Sequence, residues 1–173
     1  LKVPAIRGAL DSLRPLIGPD TIVMPAHNGI PWWLFYGLPG NWPKQHLDSV
    51  DPGGHIWKGL GPERTLGTVV GMGASVQEPG IILQNGRAGS RNGRFPLGEP
   101  DGNESERVHR VSELFREAGF ESSVSTEIRS EVWHKLLGNI GSNPISLLTQ
   151  GTMGEMHGEN GIAELITEMM REC

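Results

Sequence analysis

Apolar residues recur at helical spacing over residues 4 to 17, where Ile6, Ala9, Leu10, Leu13, Leu16 and Ile17 share one stripe. Pro4 suits the first turn of that helix, and Gly18-Pro19 stops it. The pattern then changes. Thr21 to Ala26 is a short apolar run read as a buried strand, and it leads directly into the polar loop His27-Asn28-Gly29. A helix followed by a strand that ends in a polar loop is half of an α/β unit, and in open parallel sheets ligands bind beyond the carboxyl ends of strands.

Pro31 to Tyr36 predicts a short helical turn and Gly37 to Pro62 a long loop, rich in Gly and Pro. Four of the five Trp residues lie here: Trp32, Trp33, Trp42 and Trp57. Trp42 and Trp57 read as a loop packing on its own aromatics. For Trp32 and Trp33 both that reading and a binding lid stay open. Strands are expected at Thr65–Val76, Ile81–Asn85 and Arg94–Leu97, separated by Glu78-Pro79-Gly80 and by an Asn92-Gly93 turn. Asn103 with Glu106 fits a capping box for a helix running through Val108, Val111, Leu114, Phe115 and Ala118 to Gly119. A strand at Ser122–Val124, a helix at Ile128–Ile140 and an amphipathic helix carrying Ile162, Leu165, Ile166, Met169 and Met170 complete the pattern. The apolar face of that last helix has no later partner in the sequence.

Composition narrows the class. Of 173 residues, 36% are hydrophobic and 20% charged, which suits a folded globular chain. The net charge of −5 leaves no basic footprint for nucleic acid. The local group Arg87, Arg91 and Arg94 reads as a solvated hairpin tip. Cys173 is the single cysteine, which excludes an intrachain disulfide and any cysteine-rich metal site, so no metal is expected. No apolar run approaches the ~20 residues that span a bilayer, so no membrane association is expected and a reducing cytoplasm is the default compartment. The chain opens Leu1-Lys2-Val3-Pro4 without Met, an opening that truncation or processing would each explain.

The stretch Trp133-His134-Lys135-Leu136-Leu137-Gly138-Asn139-Ile140-Gly141-Ser142-Asn143-Pro144 carries the most chemistry. Helix positions four apart differ by only about 40° around the axis, so Lys135, Asn139 and Asn143 form one slowly drifting row. Ile128, Val132, Trp133, Leu136, Leu137 and Ile140 define an apolar arc that contains both Asn residues. A buried amide left unpaired costs roughly 1–3 kcal/mol, so two of them beside an ammonium point to a polar cleft. The bland alternative is a snorkelling Lys135 with both amides satisfied by local backbone, helped by Pro144, which disfavours helix at Asn143. Spacing alone leaves both open.

This Trp-x-Lys-x-x-x-x-Asn-x-x-x-Asn-Pro pattern resembles the opening of the helical domain in ketopantoate reductases. The strand ending in His27-Asn28-Gly29, the lysine at Lys2, and the run Arg94-Phe95-Pro96-Leu97-Gly98-Glu99 followed by an acidic turn and the helix from Asn103 to Gly119 resemble that family in the same order. The resemblance implies an α/β, Rossmann-like nucleotide-binding domain whose first strands are missing, over residues 1–125. The start of an all-helical substrate and catalytic domain would follow over 126–173. It implies NADPH-dependent reduction of 2-dehydropantoate, or a related small-molecule 2-oxo acid, in pantothenate biosynthesis, with NADP as cofactor. Lys135 would be the general acid, Asn139 and Asn143 would hold the substrate, and Lys2 and Asn28 would lie on the cofactor side. A homodimer is kept as one assembly.

Members of the family begin with a G-x-G-x-x-G turn. Gly71-Met72-Gly73 runs on into Ala74-Ser75-Val76 without the third glycine, so it reads as strand. The long Trp-rich segment also departs from the shortest members and leaves the oxo acid open. Two alternatives remain at this level: a non-catalytic fragment or interaction module, and a family reductase acting on a different oxo acid.

Overall fold

The computed structural model describes residues 2–38, 40, 42, 45–85 and 93–173. The Arg87–Arg91 group and the Asn92-Gly93 turn therefore lie largely outside the described residues. The chain divides into two compact units, Leu1–Glu131 and Val132–Cys173.

Helix α1 spans Val3–Leu13, with proline in its first turn and Ile6 as its buried residue; a 3₁₀ turn at Arg14–Leu16 ends it. The strand expected at Thr21–Ala26 shrinks to one parallel bridge, Val23 to Thr65, in which Val23 N donates to Arg64 O and Leu66 N to Val23 O. Pro25 explains the shortfall. It has no N–H to give a ladder, and the chain turns back there as His27 N donates to Pro25 O.

The strand expected over Thr65–Val76 is likewise cut into pieces, and its glycines mark the breaks. Strand β1 is Gly67–Thr68, Gly71 makes an isolated bridge to Arg94, and β2 is Gly73–Glu78. Strand β2 pairs antiparallel with β3, Ile81–Asn85, in a separate two-stranded sheet. Strand β4, Arg94–Gly98, lies between β1 (antiparallel) and β5, Glu121–Val124 (parallel). Helix α3, Glu106–Glu117, makes the parallel crossover and packs Val108 on Leu66 and Leu97. Phe95, Phe115 and Phe120 pack tilted or edge-on, with centroids 5.2–5.9 Å apart, and Phe115 lies against this core.

The cap of α3 is Ser105, not Asn103. Ser105 Oγ accepts from Val108 N at 3.2 Å, while Asn103 N and Nδ2 both donate to the Asp101 carboxylate. Ser105 also donates to the buried Glu99 carboxylate, which Arg107 holds with two further bonds of 2.7 and 2.5 Å.

The Trp-rich segment is more ordered than a loop. Helix α2, His55–Leu60, forms inside it because the buried carboxylate of Asp51 accepts from Ile56 N and Trp57 N, each at 2.9 Å. Trp32 and Trp33 are core residues, 0% and 1% exposed. Trp57 meets Trp32 and Tyr36 edge-on, and the exposed Trp42 stacks on Phe35.

Helix α4, Ile128–Thr149, starts in the first unit and supplies the first element of the second. It continues through Pro144, so the break expected near Asn143 does not occur. Helices α5, Met153–Gly158, and α6, Asn160–Arg171, follow; Thr152 and Glu155 make a reciprocal capping box for α5. Ile145, Met156 and Ile166 form the core of this unit, with Ile162, Met169 and Met170 around them. The apolar face of α6 is thus covered in part by preceding helices, while Leu165 stays exposed. A Cβ on Gly141 would stand 2.9 Å from Met170 Cε and 3.1 Å from Ile166 Cγ2, so the missing side chain sets this close approach.

Candidate functional site

Because α4 is unbroken, Lys135, Asn139 and Asn143 occupy positions i, i+4 and i+8 of one helix. Lys135 and Asn139 are half-buried and Asn143 is exposed. The helix buries Ile128 and Val132 of the expected arc and, outside it, Gly141, Ser142 and Ile145, whereas Leu136, Leu137 and Ile140 are half-buried and Trp133 is exposed. The packed side of α4 therefore keeps part of the expected arc and takes in Gly141, Ser142 and Ile145 beyond it. Neither amide is fully buried, so neither bears the full cost of an unpaired buried amide.

What stays is the lysine. Between Val132 and Thr149, Lys135 is the only residue of the sequence that is Lys, Arg, Asp or Glu. Partial removal from water disfavours its charged form and lowers its pKa below that of an ordinary lysine. Such an ammonium gives up a proton more readily than an exposed one. Asn139 and Asn143, one and two turns further along, offer amide donors and acceptors on the same row.

In the first unit, Asn28 is exposed in the loop that follows the Val23 bridge, and Lys2 is exposed at the N-cap of α1. Gly29 has φ +93°, and nothing lies within 4 Å of where its Cβ would be, so a flat group can approach the backbone beside Asn28. His27, next to it, places Nδ1 3.3 Å from Asn28 O. Burial lowers the pKa of its imidazole, and Nε2 is buried without a hydrogen-bond partner. That orphaned nitrogen could not have been read from the tripeptide, because burial is a tertiary property.

Among the described residues no His, Cys, Asp and Glu side chains cluster as metal ligands, and no helix is long and apolar enough to cross a membrane.

Residues 127–173 match the family model described as "Ketopantoate reductase PanE/ApbA C terminal". The 2-dehydropantoate 2-reductase of Mesorhizobium japonicum is 42% identical over 173 residues, covering 100% of this chain and 52% of that protein. The 2-dehydropantoate 2-reductase of Pyrococcus horikoshii is 28% identical over 109 residues, 63% of this chain and 35% of that protein. The chain thus spans about half the length of the first of these relatives and less of the second. Among solved structures, a protein described as a ketopantoate reductase from Ralstonia solanacearum MolK2 superposes with a TM-score of 0.87 at 35% identity, over 99% of this chain and 52% of that one. D-mandelate dehydrogenase in complex with NADH gives 0.76 at 17% identity over 99% of this chain and 49% of that one, a likeness of fold alone. Mixed α/β architecture with a helical C-terminal region, the lysine–asparagine row and a full-chain match to a named reductase agree, and the chain belongs to the ketopantoate reductase family.

Proposed function

We propose that the protein carrying this chain reduces 2-dehydropantoate, or a closely related 2-oxo acid, to the 2-hydroxy acid, with residues 126–173 opening its substrate domain. The observation that carries the reading is a half-buried lysine of lowered pKa heading a slowly drifting row of two asparagines on one unbroken helix. NADPH, the expectation from family resemblance, would supply the hydride when bound. Of the chain's own residues, Asn28 would offer its nicotinamide end an amide beside an open, positive-φ glycine, and Lys2 would offer a cation.

In this reading Lys135 stabilises the negative charge that develops on the 2-oxo oxygen and then protonates it. Asn139 and Asn143 hold the polar groups of the acid and keep its carbonyl turned toward the lysine. A positioned donor of this kind contributes typically 10²–10⁴-fold in rate.

The test is steady-state kinetics on the full-length protein, following NADPH consumption with 2-dehydropantoate and a panel of branched 2-oxo acids. Turnover with one of them, lost in Lys135→Ala and accompanied by a raised KM in Asn139→Ala, is the expected result. Absence of turnover with every oxo acid, at measurable NADPH binding, would overturn it.

A further inference from the structure

Arg129, the second residue of α4, spends its guanidinium on the main chain of the Trp-rich turn. Its Nε donates to Leu34 O at 2.8 Å, another of its nitrogens donates to Tyr36 O, and its Cζ lies 5.9 Å from the ring centre of Trp33. The turn is held internally by Leu34 N to Pro31 O and Tyr36 N to Trp33 O, so Arg129 covers carbonyls at its open end. Among the described ion pairs it takes no carboxylate. The contact is also tightly packed, because Trp33 and Ile128 are each 1% exposed. A Cβ on Gly67 would meet Trp33 Cζ2 at 2.7 Å and Ile128 Cγ1 at 2.9 Å.

The position of this clamp in the chain gives it a meaning beyond stability. Leu34 lies six residues after Asn28, and Arg129 lies six residues before Lys135. One guanidinium therefore ties the backbone leaving the Asn28 loop to the first turn of the helix that carries the lysine. Six helical residues rise about 9 Å, so a tilt of the first turn is carried along the axis to Lys135.

We propose that Arg129 is a positioning residue for the reductase reaction, fixing the first turn of α4 against the Trp32–Tyr36 turn; this rests on the reading of Lys135 as the proton donor. It gives the Trp-rich segment a task, which is to provide the anchorage for that helix.

The experiment compares Arg129→Met and Arg129→Lys with the unaltered full-length protein. Met keeps a stem on Trp33 but makes neither hydrogen bond, whereas Lys can reach one carbonyl. Misplacing a reacting group by about 1 Å can cost around 10²-fold, so kcat is expected to fall roughly 10–100-fold in Arg129→Met. In Arg129→Lys the fall is smaller, and the NADPH Kd stays near its original value in both. The pH at which kcat declines, and the titration of the lysine followed by NMR after ¹³C-methylation, should shift in the same variants.

A folded Arg129→Met protein with unaltered kcat would overturn the inference, because a purely structural clamp changes melting temperature and leaves the turnover of folded molecules alone. If Arg129→Met does not fold, Arg129→Lys decides: reduced kcat at unchanged NADPH Kd supports the role, and unaltered kcat with an unmoved lysine titration overturns it. Lys135→Ala, run alongside, separates the two failures. Near-normal turnover there removes the reading of Lys135 itself, whereas an inactive Lys135→Ala beside a fully active Arg129→Met removes only the positioning role.

Discussion

Gly67 and Gly98 are register partners across β1 and β4, and the absence of a side chain on each leaves the space that Ile128 fills. A Cβ on Gly98 would lie 2.3 Å from Ser125 O and 2.7 Å from Ile128 Cβ. The start of α4 therefore sits on a side-chain-free floor made by two adjacent strands.

Gly98→Ala should destabilise the protein more than Gly67→Ala. At Gly98 the added methyl meets a backbone carbonyl, which can yield only by moving the chain. At Gly67 it meets the edge of the Trp33 ring and a side-chain carbon. Overpacking of this kind typically costs about 1–3 kcal/mol. Gly138→Ala is the control: nothing lies within 4 Å of its Cβ position, and a mid-helix glycine replaced by alanine gains up to about 1 kcal/mol. Denaturant midpoints should rank Gly138→Ala highest and Gly98→Ala lowest, and an equal effect at Gly67 and Gly98 would contradict the geometry.

Helix α3 offers a sharp comparison between two candidate caps. Ser105→Ala removes the acceptor for Val108 N and one donor to the buried Glu99, so it should cost about 1–2 kcal/mol. Asn103→Ala removes only the Nδ2 bond to Asp101 on an exposed turn, keeps the backbone one, and should stay within about 0.5 kcal/mol. Urea titrations of the two variants measure the difference, and equal losses would return the cap to Asn103.

That comparison shows where the sequence was legible and where it was not. The bodies of α1, α3 and α6 follow apolar periodicity, and β3 and β4 follow their apolar runs between turn signals. The start of α3 was misplaced because Asn103 and Ser105 are both good caps, and only the buried Glu99 behind Ser105 selects between them. Helix α2 was missed because its nucleus is the Asp51 carboxylate five and six residues upstream, within a run of Pro and Gly that reads as loop.

The packed side of α4 was only partly legible for a related reason: Ile128 and Val132 are buried as the apolar arc implies, whereas hydrophobicity does not mark Gly141 and Ser142. The missing side chain of Gly141 admits Met170 there. The lysine–asparagine row was unaffected, because residue spacing alone puts Lys135, Asn139 and Asn143 on one line of any continuous helix. Arg129 carried no motif. Its value comes from carbonyls 93 and 95 residues away in sequence.

The pH dependence of turnover provides the most direct check on Lys135. Its pKa is lowered because partial burial disfavours the ammonium, so in the free protein the charged form is lost at a lower pH than for an exposed lysine. A general acid must be protonated to act. Turnover should therefore be retained on the acid side and fall as pH rises through the lowered pKa, with the descending limb below the usual lysine range near 10.4. Lys135→Arg keeps a cation that does not titrate in that range, so whatever activity remains should lose this limb while staying far below the original rate. Lys135→Ala should be slowed by roughly 10²–10⁴-fold with little change in NADPH affinity, because the ammonium acts on charge that appears only during reaction. The profile of log kcat/KM for the oxo acid against pH, which reports groups of the form not yet holding that acid, distinguishes this from a solvated lysine with no part in the chemistry. A descending limb unchanged in Lys135→Arg would assign the titration to another group and remove Lys135 as the proton donor.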